Sequence, residues 1–334
     1  MILSTQAAPY LIELIQKGAQ FHPHYGNRLA NHLPMALTAL CQLGADSSRL
    51  ETFYQYYAKK LITFERQDLA SDFNFDNDLG DTSYFPQYLA YFEFQIAKYG
   101  IEKTVAKHID RLIPGVAASA FHALIRLAYA LEVKQPDEVA MALAFWSADY
   151  QFLGTCEFFG SAKSYSNQSP LEILNSQQHF FEQLHFEKGI IVDRMNQVSA
   201  ATNWETTPLV PQSLNLETIA AIAIRLYLRD KDFTLLHGVT GTHALRVLMP
   251  YIQKQDLALK YFWIAYWAAY QTTKTWEVSS ENKITKMDEN EISLIKKQAV
   301  KSDNDHTIKL VYSCFQEYKH YNNTDFLLAA KDKI

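Results

Sequence analysis

The sequence has three cysteines, Cys41, Cys156 and Cys314, with no CxxC pair among them. An odd count at wide spacing argues against a disulfide framework and against a thiolate zinc site. The glycine patterns GxGxxG and GxxxxGK[ST] are missing, so no nucleotide-binding fold is visible. GxSxG is absent, which removes the common hydrolase reading. HExxH is absent, which excludes a zincin. Glu182-Gln-Leu-His185 is a lone ExxH, whereas ferritin-like diiron sites need two. The formal net charge of −5 is mild and spread out, with no basic stripe for nucleic acid. Apolar runs are short; the most apolar, Leu257 to Tyr270, is interrupted by Lys260, so no bilayer span is expected. Met1-Ile-Leu-Ser-Thr-Gln-Ala-Ala-Pro9 has no basic stretch ahead of its apolar residues and does not read as a signal peptide. A soluble protein of a reducing compartment, the cytoplasm, is the expectation.

What is present is apolar and helical. At 334 residues and 48% hydrophobic, the chain can bury a sizeable core. Its 20 Tyr and 20 Phe suit a large core and a pocket for flat organic ligands. Tyr10, Leu11, Leu14 and Ile15 recur at helical spacing, as do Leu50, Phe53, Tyr57 and Leu61. Ser169-Pro-Leu-Glu172 reads as a capping box, Gln135-Pro-Asp-Glu138 as a helix start, and Gly44 as a C-cap. Pro114-Gly115 separates the segment around Ile109 from the helix that carries His122. Period-2 alternation with hairpin turns is missing, so a substantial sheet is not expected. Residues 66–83, 160–168 and 201–213 read as loops, and 277–290 as a polar surface segment. The fold class is all-α: one compact multi-helix domain over residues 1–334, built of antiparallel helix pairs.

The chemistry-bearing residues are histidines on apolar stretches. A buried imidazole needs a partner, because an unpaired polar group costs roughly 1–3 kcal/mol. His32 stands near a helix start marked by Pro34, where the helix dipole favours the neutral ring. Alone, it reads first as a capping or core histidine. His122 is expected mid-helix, on one stripe with Ala118, Arg126 and Tyr129. A structural His–Arg–carboxylate network including Glu132 is the competing reading. His237 and His243 are six residues apart, so on a straight helix they diverge by about 240°. Both reach one metal only if the helix is distorted at Gly238 and Gly241. Asp305-His-Thr-Ile-Lys309 opens a late helix; by pattern alone Asp303 or Asp305 caps it and Lys309 snorkels to water.

An ordered series of motifs then carries a resemblance. Asn31-His-Leu-Pro-Met-Ala-Leu-Thr-Ala-Leu with Leu43-Gly-Ala45, Phe121-His-Ala-Leu-Ile-Arg-Leu-Ala-Tyr-Ala-Leu-Glu132, Leu236-His-Gly-Val-Thr-Gly-Thr-His-Ala-Leu-Arg246 and Asp305-His-Thr-Ile-Lys309 together resemble the questin oxidase-like family. The resemblance implies an all-helical oxidative enzyme of polyketides, with Baeyer–Villiger-type or ring-opening chemistry, some members being NADPH-dependent. One branch looks like a mononuclear non-heme iron oxygenase holding Fe(II) with histidines and a carboxylated lysine. Carried over, His32, His122, His237 and His243 are imidazole ligands and Lys309 is the lysine that takes up CO2. His306 is a neighbouring or alternative ligand, and Arg126 and His306 are the catalytic candidates. The partners implied are an aromatic or otherwise hydrophobic small molecule and O2, with no nucleic acid and no membrane. Two other readings stand beside it: a metal-independent, NADPH-dependent Baeyer–Villiger-type oxidase, and a helical protein that binds a hydrophobic ligand without turnover.

Overall fold

The computed structural model describes residues 8–154, 168–176, 184–201, 204, 210–211, 213–273 and 287–334. Fifteen α-helices lie among the described residues. They are α1 (Ala8–Gly18), α2 (Leu33–Leu43), α3 (Ser47–Ala58), α4 (Phe85–Tyr99), α5 (Ile101–Leu112), α6 (His122–Val133), α7 (Pro136–Ala148), α8 (Pro170–Ser176), α9 (Ile191–Ser199), α10 (Leu216–Asp230), α11 (Phe233–Leu248), α12 (Gln255–Gln271), α13 (Glu289–Lys301), α14 (Asp305–Tyr321) and α15 (Asp325–Lys333). The one named sheet among these residues is a ribbon of His24–Tyr25 against Leu29–Ala30, with His24 opposite Ala30. The fold is all-α, as the missing alternation implies.

Local signals set the helix ends. Ser169 and Glu172 form the expected capping box, Ser169 N–H donating to Glu172 Oε2 at 2.7 Å. Pro136 opens α7, and Gly44 closes α2 in the left-handed region at φ 102°. Residues 66–81 are non-helical, followed by a single 3₁₀ turn at Thr82–Tyr84. The proposed loops at 160–168 and 201–213 and the segment 277–290 fall largely outside the described residues; Glu289 and Asn290 belong to α13.

The centre consists of helices apolar all round, the pattern of a helix with no solvent face. Every residue of α2 except Gln42 is buried, and every residue of α6 except Glu132. Helix α2 packs on α6 and α14, and α11 packs on the same two. All four begin at one end of this central group, so their first turns meet. Helix α11 runs unbroken through Gly238 and Gly241. A Cβ at Gly238 would stand 2.3 Å from Tyr266 Cε2, and one at Gly241 3.3 Å from the Phe262 ring. The glycines therefore seat α12 against α11, rather than distorting the helix between His237 and His243.

Candidate metal centre

Four imidazoles meet where those helices begin. His32 holds the N-cap position of α2, and Pro34 follows in its first turn. His122 is the first residue of α6, not mid-helix as the stripe suggested. The three residues before it, Ser119, Ala120 and Phe121, all have left-handed φ, at 46°, 54° and 71°, so no helix can run through them. His306 is the second residue of α14, whose cap is Asn304 rather than either aspartate. His237 lies in the opening turns of α11. Ring centroids are 4.6 Å apart for His32 and His122, 4.6 Å for His32 and His306, and 4.7 Å for His122 and His237. One nitrogen from each of His32, His122 and His306 lies within 4.8 Å of the others. His122 Nε2 is 3.2 Å from His237 Nε2.

The hydrogen bonds fix which nitrogen is free. His122 Nδ1 lies 2.5 Å from the Ser119 carbonyl, and His237 Nδ1 lies 2.8 Å from the Phe233 carbonyl. A carbonyl only accepts, so each Nδ1 carries the proton and each Nε2 presents a lone pair. The same holds at Asp305, whose carboxylate receives His32 Nδ1 at 2.5 Å and His306 Nδ1 at 3.0 Å. Among the described residues, His306 Nε2 is buried with no hydrogen-bond partner; so is His243 Nε2, but that ring lies away from the cluster. Two lone pairs facing each other at 3.2 Å, beside a third that is orphaned, repel unless a cation lies between them. Imidazoles oriented by carbonyls and a carboxylate through Nδ1 are the arrangement that prepares Nε2 for a metal.

Burial keeps the rings neutral. It pushes the His32 imidazole down to about 3, with Lys309 nearby adding to the effect. His122 and His237 are held well below the ordinary range, first by burial and then by neighbouring cations and rings. Burial alone would raise the Asp305 carboxyl, but His32 and His306 outweigh it and hold it ionised. Tyr57 fixes that carboxylate: its hydroxyl donates to Asp305 Oδ2 at 3.1 Å and accepts the His32 backbone N–H at 3.2 Å.

Lys309 does not snorkel. It is 1% exposed, with Nζ 3.3 Å from His32 Nδ1. That nitrogen already donates to Asp305, so it cannot accept from the amine. Burial pushes the Lys309 amine down to about 8, against an opposing pull from Asp305.

His243 and Arg126 are placed elsewhere. Six residues along a straight α11, His243 points away from His237 and bonds through Nδ1 to Glu317 Oε1 at 2.7 Å. Its ring neighbours are Tyr129 and Tyr312, and Arg246 Nε donates to the same Glu317 oxygen. Arg126 forms a buried two-bond pair with Glu138, at 2.7 and 2.9 Å, and does not line the cavity above the histidines. Its carboxylate partner is thus Glu138, one helix away, and not Glu132. Sequence reasoning gave Asp305 only a capping role and gave Tyr57 and Phe233 no place in the site. Only Asp305 carried a signal, its adjacency to His306.

Above the rings lies a cavity of about 380 Å³, within the ~300–1,000 Å³ range of small-molecule sites. His32, His122, His306 and Phe233 line it, together with Tyr25, Leu29 and residues 189–194.

An all-helical protein with four converging imidazoles beneath an apolar cavity is built as a small-molecule site. The pattern of a family described as questin oxidase-like matches residues 29–314, and the chain belongs to that family. No curated protein matches it. Membership makes the chain an oxidoreductase of polyketide-type small molecules at the level of the family. Among the described residues, no helix is long and apolar enough to cross a membrane.

Proposed function

We propose that this chain is a mononuclear non-heme iron oxygenase that oxidises or ring-opens an aromatic or polycyclic small molecule. The observation that carries the reading is the pair of facing Nε2 atoms at 3.2 Å, each committed as an acceptor by its own Nδ1–H. The donor chemistry fits a divalent transition ion: His32, His122, His237 and His306 would hold it through Nε2, with one anionic oxygen from Lys309. An imidazole-rich set with one carboxylate-like oxygen suits Fe(II). Bound there, the ion supplies activation of O2 next to the substrate.

The chain's own groups do the rest. Asp305 keeps His32 and His306 in the tautomer that offers Nε2, and Tyr57 keeps Asp305 in place. The neutral Lys309 amine forms an N–C bond with CO2 and releases one proton, giving a carbamate. Its burial beside His32 supports this reading, because burial lowers the amine toward the neutral form that attacks CO2, and the helix N-termini around it favour an anion. Phe233, Tyr25 and Leu29 line the cavity and would hold the substrate ring over the histidines.

Oxygen uptake with an aromatic polyketide, measured before and after chelation, tests this. Uptake should vanish on chelation and return with Fe(II) alone. Uptake that survives chelation and instead requires NADPH would overturn it in favour of metal-independent oxidation. Lys309→Ala should lower activity at least a hundredfold, with partial recovery in added acetate, which supplies the missing oxygen ligand.

A further inference from the structure

The cavity wall contains a cation with no counter-ion among the described residues. Among the described residues, two guanidiniums line the cavity, Arg28 and Arg194, and no acidic residue does. Arg28 is already matched: its Nη2 donates to both oxygens of Asp193 at 2.7 Å. Arg194, the next residue on α9, is not. It is half-buried, its Nε is shielded from solvent with no hydrogen-bond partner, and among the described residues no carboxylate pairs with it. The imidazoles of the floor beneath are uncharged and turn their Nδ1–H groups inward to Asp305 and a carbonyl. Apart from Ser119, the remaining walls, among them Tyr25, Leu29, Ile190, Ile191 and Phe233, are apolar or aromatic.

A half-buried guanidinium that lines an apolar cavity, with no carboxylate paired to it among the described residues, can take an anion from the cavity side. Its planar fork of N–H donors matches a carboxylate in a two-bond geometry, and low polarity around it strengthens that contact. We propose that the physiological substrate carries a carboxylate on an apolar or aromatic frame, and that Arg194 receives that carboxylate while the frame lies over the histidines. This rests on the reading of the histidine floor as the reacting end of the cavity. It narrows the substrate from a neutral polycycle to an aromatic acid, oriented with its charged end toward α9 and its ring toward Phe233. Arg194 is then a specificity residue.

Two probes of one shape separate the possibilities: 2-naphthoate and the neutral 2-naphthamide. Calorimetric titration of the full chain, as purified and again after chelation, should show naphthoate binding at least tenfold more tightly in both states. Arg194→Gln should abolish that preference, and Arg194→Lys should retain part of it, having the charge without the fork. Equal affinity for the two probes, or a preference unchanged in Arg194→Gln, overturns the proposal. A preference present only in the metal-loaded protein also overturns it, because the ion and not Arg194 would then hold the carboxylate. The two readings fail separately. Naphthoate preference without metal uptake sinks the oxygenase and leaves the subsite, whereas metal uptake without preference does the reverse.

Discussion

At the scale of single residues, His243 and His306 exchange the roles that the family resemblance implied for them. Both have a buried Nε2 without a hydrogen bond among the described residues, but His306 brings it to the other rings, while His243 lies beside Tyr129 and Tyr312 with its Nδ1 on a fully buried Glu317. His243→Ala should therefore leave metal uptake intact and cost about 1.5–3 kcal/mol of stability, because Glu317 loses one hydrogen bond and, among the described residues, keeps Arg246 as its partner. Denaturant unfolding beside metal analysis reads both; loss of metal with unchanged stability would contradict this. Lys309 makes a second prediction, for the metal-free protein in CO2-free buffer. Burial lowers its folded value to about 8 from the ordinary 10.5. Between those values the unfolded chain binds the proton that the folded chain has lost, so stability rises with pH across that window. Below it both states are charged, and the cost of burying the ammonium is felt in full. Lys309→Met should lack this rise. Parallel stability curves for the two proteins from pH 8 to 10.5 would refute the assignment.

At the scale of elements, the site depends on two places where backbones are held tightly. The left-handed run Ser119-Ala120-Phe121 starts α6 at His122 and turns the Ser119 carbonyl back onto His122 Nδ1. Non-glycine residues there cost roughly 1–2 kcal/mol each. Ala120→Gly should thus leave stability equal or raise it by up to about 1 kcal/mol, and Ala120→Val should lower it. A clear loss with glycine would show that Ala120's methyl packing outweighs its backbone strain. The second place is Gly238, whose added Cβ would press into Tyr266. Gly238→Ala should destabilise by about 1–3 kcal/mol and weaken metal uptake, since His237 is one residue away on the displaced helix. These contacts explain a limit of the sequence. A positive-φ turn of Ser, Ala and Phe leaves no compositional mark, so periodicity ran the His122 helix straight through it. The glycines of α11 were visible, but whether they bend a helix or admit a neighbour depends on α12, which local pattern does not contain.

At the scale of the whole molecule, the architecture is a way of bringing helix N-termini together. Helices α2, α6, α11 and α14 start at one locus, and each contributes a histidine from its opening turns. The all-α class was legible because caps, prolines and 3.6-residue periods agree along the chain. Four of the five proposed ligands meet at that locus, and His32, near its proline, was readable as a helix-start residue. What could not be read was mutual position: the pairing of Arg126 with Glu138, the clamp of Asp305 and Tyr57, and the cavity wall of α9 come from segments far apart in the chain. Because the site ties four helices, an ion bound only by the folded state should stabilise the whole domain, by about 2.7 kcal/mol at a hundredfold excess over its dissociation constant.

The central claim is that four imidazoles and Lys309 enclose one ion, and stoichiometric metal binding tests it most directly. Metal-free wild type, His306→Ala, His237→Ala and His243→Ala proteins, titrated anaerobically with Fe(II) and analysed for bound metal, are predicted to divide cleanly. Wild type and His243→Ala should take up about one ion per chain, and the His306 and His237 variants should lose at least tenfold in affinity. Wild type that binds no transition ion, or uptake abolished by His243→Ala but unaffected by His306→Ala, would contradict the account.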